Sequence, residues 1–95
     1  MAEEKITREF KLLNKYGMHV RPAGLFAKCA SRFDADVDVE KDGNVVSGKS
    51  IMALMTLEAV CGTVLKVSAS GPQANEVLDE LEALVARRFD IPDEQ

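Results

Sequence analysis

A chain of 95 residues with 46% hydrophobic content is long enough to close one core and too short for two, so every element must share it. Twelve basic residues against sixteen acidic ones leave a net charge of -4, which argues against nucleic-acid binding, because a phosphate backbone selects a basic surface. No run approaches the ~20 apolar residues of a bilayer span, and the acidic opening Met1-Ala2-Glu3-Glu4-Lys5 lacks an apolar signal core, so a cytoplasmic chain without direct membrane insertion is expected.

Ile6, Phe10 and Leu12 alternate with Thr7, Glu9 and Lys11, the period of a strand with one face in a core and one in water. A helix is predicted over Val20–Arg32, burying Ala23, Phe26, Ala27 and Ala30, with Phe33 as an extension of that stripe and Leu25 and Lys28 outside it. Val37 and Val39 alternate with Asp36, Asp38 and Glu40, and Asp42-Gly43 turns this strand into a hairpin that returns through Val45 and Val46. A short apolar helix follows over about Ile51–Leu57, then a strand with Leu65, Val67 and Ala69 inward, ended by Gly71-Pro72. The closing helix, about Gln73–Arg88, buries Val77, Leu78, Leu81, Leu84 and Val85 and ends on Arg87 and Arg88, cations suited to a helix C-terminus. Pro92-Asp93-Glu94-Gln95 reads as a frayed end.

Half-polar strands exclude a sheet covered on both faces. The order βαββαβα therefore predicts an α+β fold, a four-stranded and mostly antiparallel sheet with three helices on one face. One domain spans residues 1–95, with an ordered core over about 5–89. Cys29 and Cys61 have no metal-ligand spacing and read as small buried hydrophobes in a reducing compartment.

His19, the only histidine, stands between the first strand and the first helix. Pro22 is tolerated only in a first turn, where its missing N–H leaves no bond unmade, so the helix begins close to His19 and puts it at or beside the N-cap. The unpaired N–H groups of that turn, at Val20 and Arg21, join the helix dipole and the Arg21 guanidinium in a site for a small anion. A nucleophilic nitrogen beside an anion site suits a phosphoryl acceptor. From Phe10 to Phe33 the charged residues are Lys11, Lys15, Arg21, Lys28 and Arg32 without one acid, which favours a phosphorylated ligand or an acidic partner.

Gly17-Met18-His19-Val20-Arg21-Pro22-Ala23, followed by Gly48-Lys49-Ser50-Ile51-Met52-Ala53-Leu54-Met55, closely resembles the HPr family of phosphocarrier proteins of the bacterial phosphotransferase system. The resemblance runs from about Ile6 to Phe89 and implies the family's open-faced β-sandwich. It also implies that His19 is phosphorylated through Nδ1 and that Arg21 pairs with the phosphate. The phosphoryl group would come from phosphoenolpyruvate by way of enzyme I and pass to a histidine of an enzyme IIA. The chain would then be a carrier rather than an enzyme, and no cofactor is implied. Val20, Tyr16 and Glu58 stand where alanine, a small or aliphatic residue and glycine are common in the family, and they leave both the sugar branch and the nitrogen-related branch open.

Gly43-Asn44-Val45-Val46-Ser47-Gly48-Lys49-Ser50 also fits the P-loop pattern of nucleotide-binding enzymes. The context speaks against it: the preceding strand alternates, whereas a P-loop follows a buried parallel one. The two glycines read instead as hairpin and strand-exit residues, with Ser50 near the N-cap of the next helix. That helix is apolar nearly all round. With Leu54 and Leu57 inward, Ile51, Met52 and Met55 face water as a docking patch, and the resemblance joins Leu25 and Lys28 of the first helix to it. Ser50 falls on a position that an HPr kinase/phosphorylase modifies in some family members; its phosphate would place about -1.5 to -2 charges on the patch. The alternative function is a regulatory docking module of the same family, with Ser50 as its switch.

Overall fold

The hairpin and the first helix are dictated most directly by the sequence. In the computed structural model, which describes residues 4–92, Asp42 and Gly43 both take positive φ, 51° and 84°, the requirement of a two-residue type I′ turn. They join β2 (Asp36–Lys41) to β3 (Asn44–Ser47), paired antiparallel with Val39 opposite Val46. β1 (Ile6–Lys11) and β4 (Val64–Ser70) complete the sheet in the order β1-β4-β2-β3, and every neighbouring pair is antiparallel. Phe10 lies opposite Leu65, and Val67 opposite Val39, so the alternating apolar residues of three strands meet on one face.

The helices cover that face. α1 (Val20–Ser31) turns Ala23, Phe26, Ala27 and Ala30 onto it, α2 (Ile51–Met55) contributes Leu54, and α3 (Ala74–Ala86) contributes Val77, Leu78, Leu81, Leu84 and Val85. All belong to one continuous core, where each fully buried Leu or Phe contributes roughly 1.5–3 kcal/mol of transfer free energy. The opposite face is polar, with Thr7 and Ser68 hydroxyls joined across β1 and β4 at 2.8 Å. Arg8 occupies a core-facing position at the sheet edge and reaches Asp79 and Glu82 of α3 at 2.8 and 2.9 Å; pairing with Asp79 pushes its guanidinium above its already high usual range.

Three expected boundaries shift. α1 stops at Ser31 with Arg32 as its cap. α2 is shorter than the expected Ile51–Leu57, because Leu57 and Glu58 donate to carbonyls three residues back, at 3.2 and 3.1 Å, and tighten the chain into a turn that still buries Leu57. α3 runs Ala74–Ala86 rather than Gln73–Arg88. After Arg87, whose Nε binds the Asp90 carboxylate at 3.1 Å, Arg88, Phe89 and Asp90 all take positive φ and swing Phe89 into the core. Arg88 is thus carried off the helix axis. Met1–Glu3 and Asp93–Gln95 of the expected termini lie outside the described residues.

Candidate functional site

The approach to His19 is fixed by a turn that only glycine can make. Gly17 has φ +64°, and a Cβ there would stand 2.1 Å from the Ala59 carbonyl oxygen. This close approach lets Met18 N–H donate to that same oxygen at 2.8 Å. Buried Asn14 closes the turn, its Nδ2 donating to the Gly17 carbonyl at 2.7 Å. The segment ahead of α1 is therefore clamped to the one that follows α2.

His19 is the N-cap of α1, with extended backbone (φ -84°, ψ -170°), and its ring does not cap the helix. The ring is half-buried with Nε2 withdrawn from solvent. Tyr16 meets it edge-on at 6.0 Å between centroids, 88° between planes, and Lys15 Nζ stands 5.3 Å from the centroid of the Tyr16 ring. Ala23 N–H already donates to the His19 carbonyl at 2.9 Å, and Pro22 has no N–H. The first-turn donors left without a helical acceptor are thus Val20 and Arg21. Both residues are exposed, and Arg21 forms no ion pair among the described residues. Its guanidinium is committed to no carboxylate there.

The residues expected to dock partners fall into two groups. Arg21, Leu25 and Lys28 share one stripe of α1 by helical periodicity, which the cap residue Arg32 continues; Leu25 and Lys28 line the groove between α1 and α3, opposite Glu80 and Leu84. Ile51, Met52 and Met55 are all exposed on α2, Met52 at 80%. The two helices meet where Gly24 faces Ile51, the side chain lying 3.9 Å from where a Cβ would be. Met55 reaches furthest toward the histidine, sharing a shallow depression with Tyr16, Met18, His19, Glu58 and Val60. Ser50 caps α2, its Oγ accepting from Ala53 N–H at 3.2 Å, and Lys41 closes the other end by donating to the Leu57 and Glu58 carbonyls at 3.0 and 3.4 Å.

The residues that hold His19 in place include two that carry no sequence signal of their own. Ala59 and Lys41 act through space, from segments far along the chain. Asn14 and Gly17 do carry a local signal, a short polar side chain three residues ahead of a glycine.

Two expectations are corrected or resolved by position. The P-loop-like run forms the edge strand β3 and its exit, not a phosphate loop: Gly48 is a packing glycine, since a Cβ there would stand 2.6 Å from Val37 Cγ1, and its N–H donates to the Val37 carbonyl at 2.8 Å. Cys29 is buried as expected, and burial pushes its thiol up in pKa. Cys61 is exposed, contrary to expectation, because Val60–Thr63 is a tight turn closed by Thr63 N–H on the Val60 carbonyl at 3.0 Å, and its tip points away from the core. No helix among the described residues is long and apolar enough to cross a membrane.

Comparison with known proteins agrees with this geometry. Residues 6–87 match the family model described as "PTS HPr component phosphorylation site". The phosphocarrier protein HPr of Vibrio cholerae is 44% identical over 78 residues, covering 82% of this chain and 92% of its own. The HPr-like protein Crh of Bacillus subtilis is 44% identical over 85 residues, covering 90% and 95%. The crystal structure of HPr-C-His from Thermoanaerobacter tengcongensis superposes with a TM-score of 0.84 at 38% identity, over 94% of this chain and 98% of that one. With an open-faced sheet, a histidine at the head of α1 and these relatives along nearly its whole length, the chain belongs to the HPr family of phosphotransferase-system phosphocarriers.

Proposed function

We propose that this chain accepts a phosphoryl group from phospho-enzyme I on His19 Nδ1 and passes it to a histidine of an enzyme IIA. The observation that carries the reading is the pairing of a half-buried imidazole, Nε2 inward, with the open first turn of α1 and an exposed Arg21. Because Nε2 is withdrawn from solvent, Nδ1 is the ring nitrogen assigned to the phosphoryl group. Imidazole is the side chain that offers a neutral nucleophilic nitrogen near neutral pH.

In the forward step the Nδ1 lone pair attacks phosphorus as the bond to the enzyme I nitrogen breaks. The Val20 and Arg21 N–H groups and the Arg21 guanidinium then face the phosphoryl oxygens. Helix-terminus stabilisation of ~0.3–2 kcal/mol, with charge-assisted hydrogen bonds from arginine, holds the group without trapping it. Leu25, Lys28, Ile51, Met52 and Met55 form the partner-facing surface, its basic half suited to acidic partners and its apolar half to several surfaces in turn. The setting is cytoplasmic, and the folded unit is a single HPr-like domain.

The test is intact mass after incubation with phosphoenolpyruvate and enzyme I. One acid-labile addition of about 80 Da, absent from His19→Ala, supports the carrier; no addition with an active enzyme I overturns it.

The Crh relative favours a second reading, a regulatory docking module switched at Ser50 by an HPr kinase/phosphorylase. Ser50 is half-buried at the head of α2, beside Ile51 and Met52, where a phosphate would put charge next to apolar docking residues. Partner binding that survives His19→Ala but is lost on Ser50 phosphorylation would favour that reading.

A further inference from the structure

Among the described residues, Glu58 is the one acidic residue lining the depression that His19 shares with Tyr16, Met55 and Val60. Its backbone is in the left-handed region, φ +52°, which a residue with a Cβ adopts at a steric cost. Strain of this kind persists only where the surroundings enforce it, and it collects at functional sites. Here the surroundings are specific: Lys41 Nζ holds the carbonyls of Leu57 and Glu58, and the Glu58 N–H is bound to the Met55 carbonyl at 3.1 Å. The residue directly after these two anchors, Ala59, carries the carbonyl that fixes Met18. The turn that presents Glu58 is therefore the same turn that positions His19.

We propose that Glu58 tunes the phosphoryl group carried by His19, its carboxylate opposing Arg21 and the α1 terminus so that phosphate leaves more readily. The inference rests on the carrier reading above. In the transfer step an acceptor nitrogen attacks phosphorus, the Nδ1–P bond breaks and its electron pair returns to Nδ1. One proton passes in net from the acceptor ring to His19 through solvent. A carboxylate across the depression raises the free energy of the phosphorylated carrier, whose phosphoryl group adds a charge of about -2, more than that of the free carrier, and so raises its transfer potential. Arg21 and the two first-turn N–H groups act in the opposite sense from the α1 side. Lys15 beside Tyr16 and Lys41 beneath the turn are the other charges close by.

The experiment is a phosphoryl exchange between two versions of this chain. Isotope-labelled wild-type protein and unlabelled Glu58→Gln are mixed with catalytic enzyme I and limiting phosphoenolpyruvate, and the phosphorylated fraction of each is read by intact mass. The variant should hold more phosphate than wild type, by about threefold at 10 mM salt and less than twofold at 150 mM, as expected of a carboxylate screened across water. Glu76→Gln, on the first turn of α3, should give a ratio of one. The inference is overturned if Glu58→Gln shares phosphate equally with wild type at both salts, or if the ratio is independent of salt, as a purely conformational effect would make it. Failure of wild type itself to become phosphorylated would overturn the carrier reading instead.

Discussion

Replacing Gly17 by alanine tests the clamp that holds His19. The added Cβ would lie 2.1 Å from the Ala59 oxygen and 2.8 Å from Val60 Cα, so the two segments must separate. Left-handed backbone in an alanine costs about 1 kcal/mol. Separation also breaks the 2.8 Å bond from Met18 N–H to Ala59, worth about 1–3 kcal/mol where a buried group loses its partner. The total is about 2–4 kcal/mol, or a fall in Tm of roughly 10–30 °C at ~4–8 °C per kcal/mol for a domain of this size. Gly43→Ala provides the reference, because Gly43 has φ +84° with nothing within 4 Å of the Cβ position. It should lose about 1 kcal/mol from backbone conformation alone. Urea unfolding of both variants, with circular dichroism as the probe, gives the difference. Equal losses at the two positions would refute the clamp.

Ser50→Ala removes the cap of a five-residue helix and should cost about 0.5–2 kcal/mol in the same assay; no loss would mean that packing of Leu54 alone holds α2. Met52→Asp, at a position 80% exposed, should leave stability within about 0.5 kcal/mol of wild type while weakening enzyme I binding about tenfold in calorimetry; unchanged affinity would remove α2 from the docking surface. A thiol reagent should label exposed Cys61 at once and Cys29, buried and with its pKa raised by burial, only as the native state opens; equal rates would contradict the placement of the two thiols.

The parts of this molecule that depend on local chemistry are legible in the chain. Pro22 announces the start of α1 and so puts His19 at its head, Asp42-Gly43 can hardly be anything but a tight hairpin, and the inward Leu54 and Leu57 leave Ile51, Met52 and Met55 outside. Long-range geometry is another matter. Nothing near Gly17 says that its missing Cβ makes room for Ala59, and Glu58 turns the chain after α2 with positive φ where no glycine marks the turn. Cys61 reads as a core residue because free cysteine behaves as a small buried hydrophobe, yet the turn Val60–Thr63 that carries it faces water. The end of α3 is lost for a similar reason. A run of three residues with positive φ and no glycine is set by the burial of Phe89, a tertiary demand that overrides local propensity.

The most direct test of the central claim is nitrogen NMR of the His19 imidazole in protein labelled with ¹⁵N at histidine, before and after phosphoenolpyruvate and enzyme I. With one histidine in the chain, the spectrum belongs to that ring alone. Attachment of phosphorus at Nδ1, with Nε2 keeping a buried environment, is the predicted result. An unchanged ring in a protein that has gained a phosphoryl group, or phosphorus on Nε2, would contradict the account.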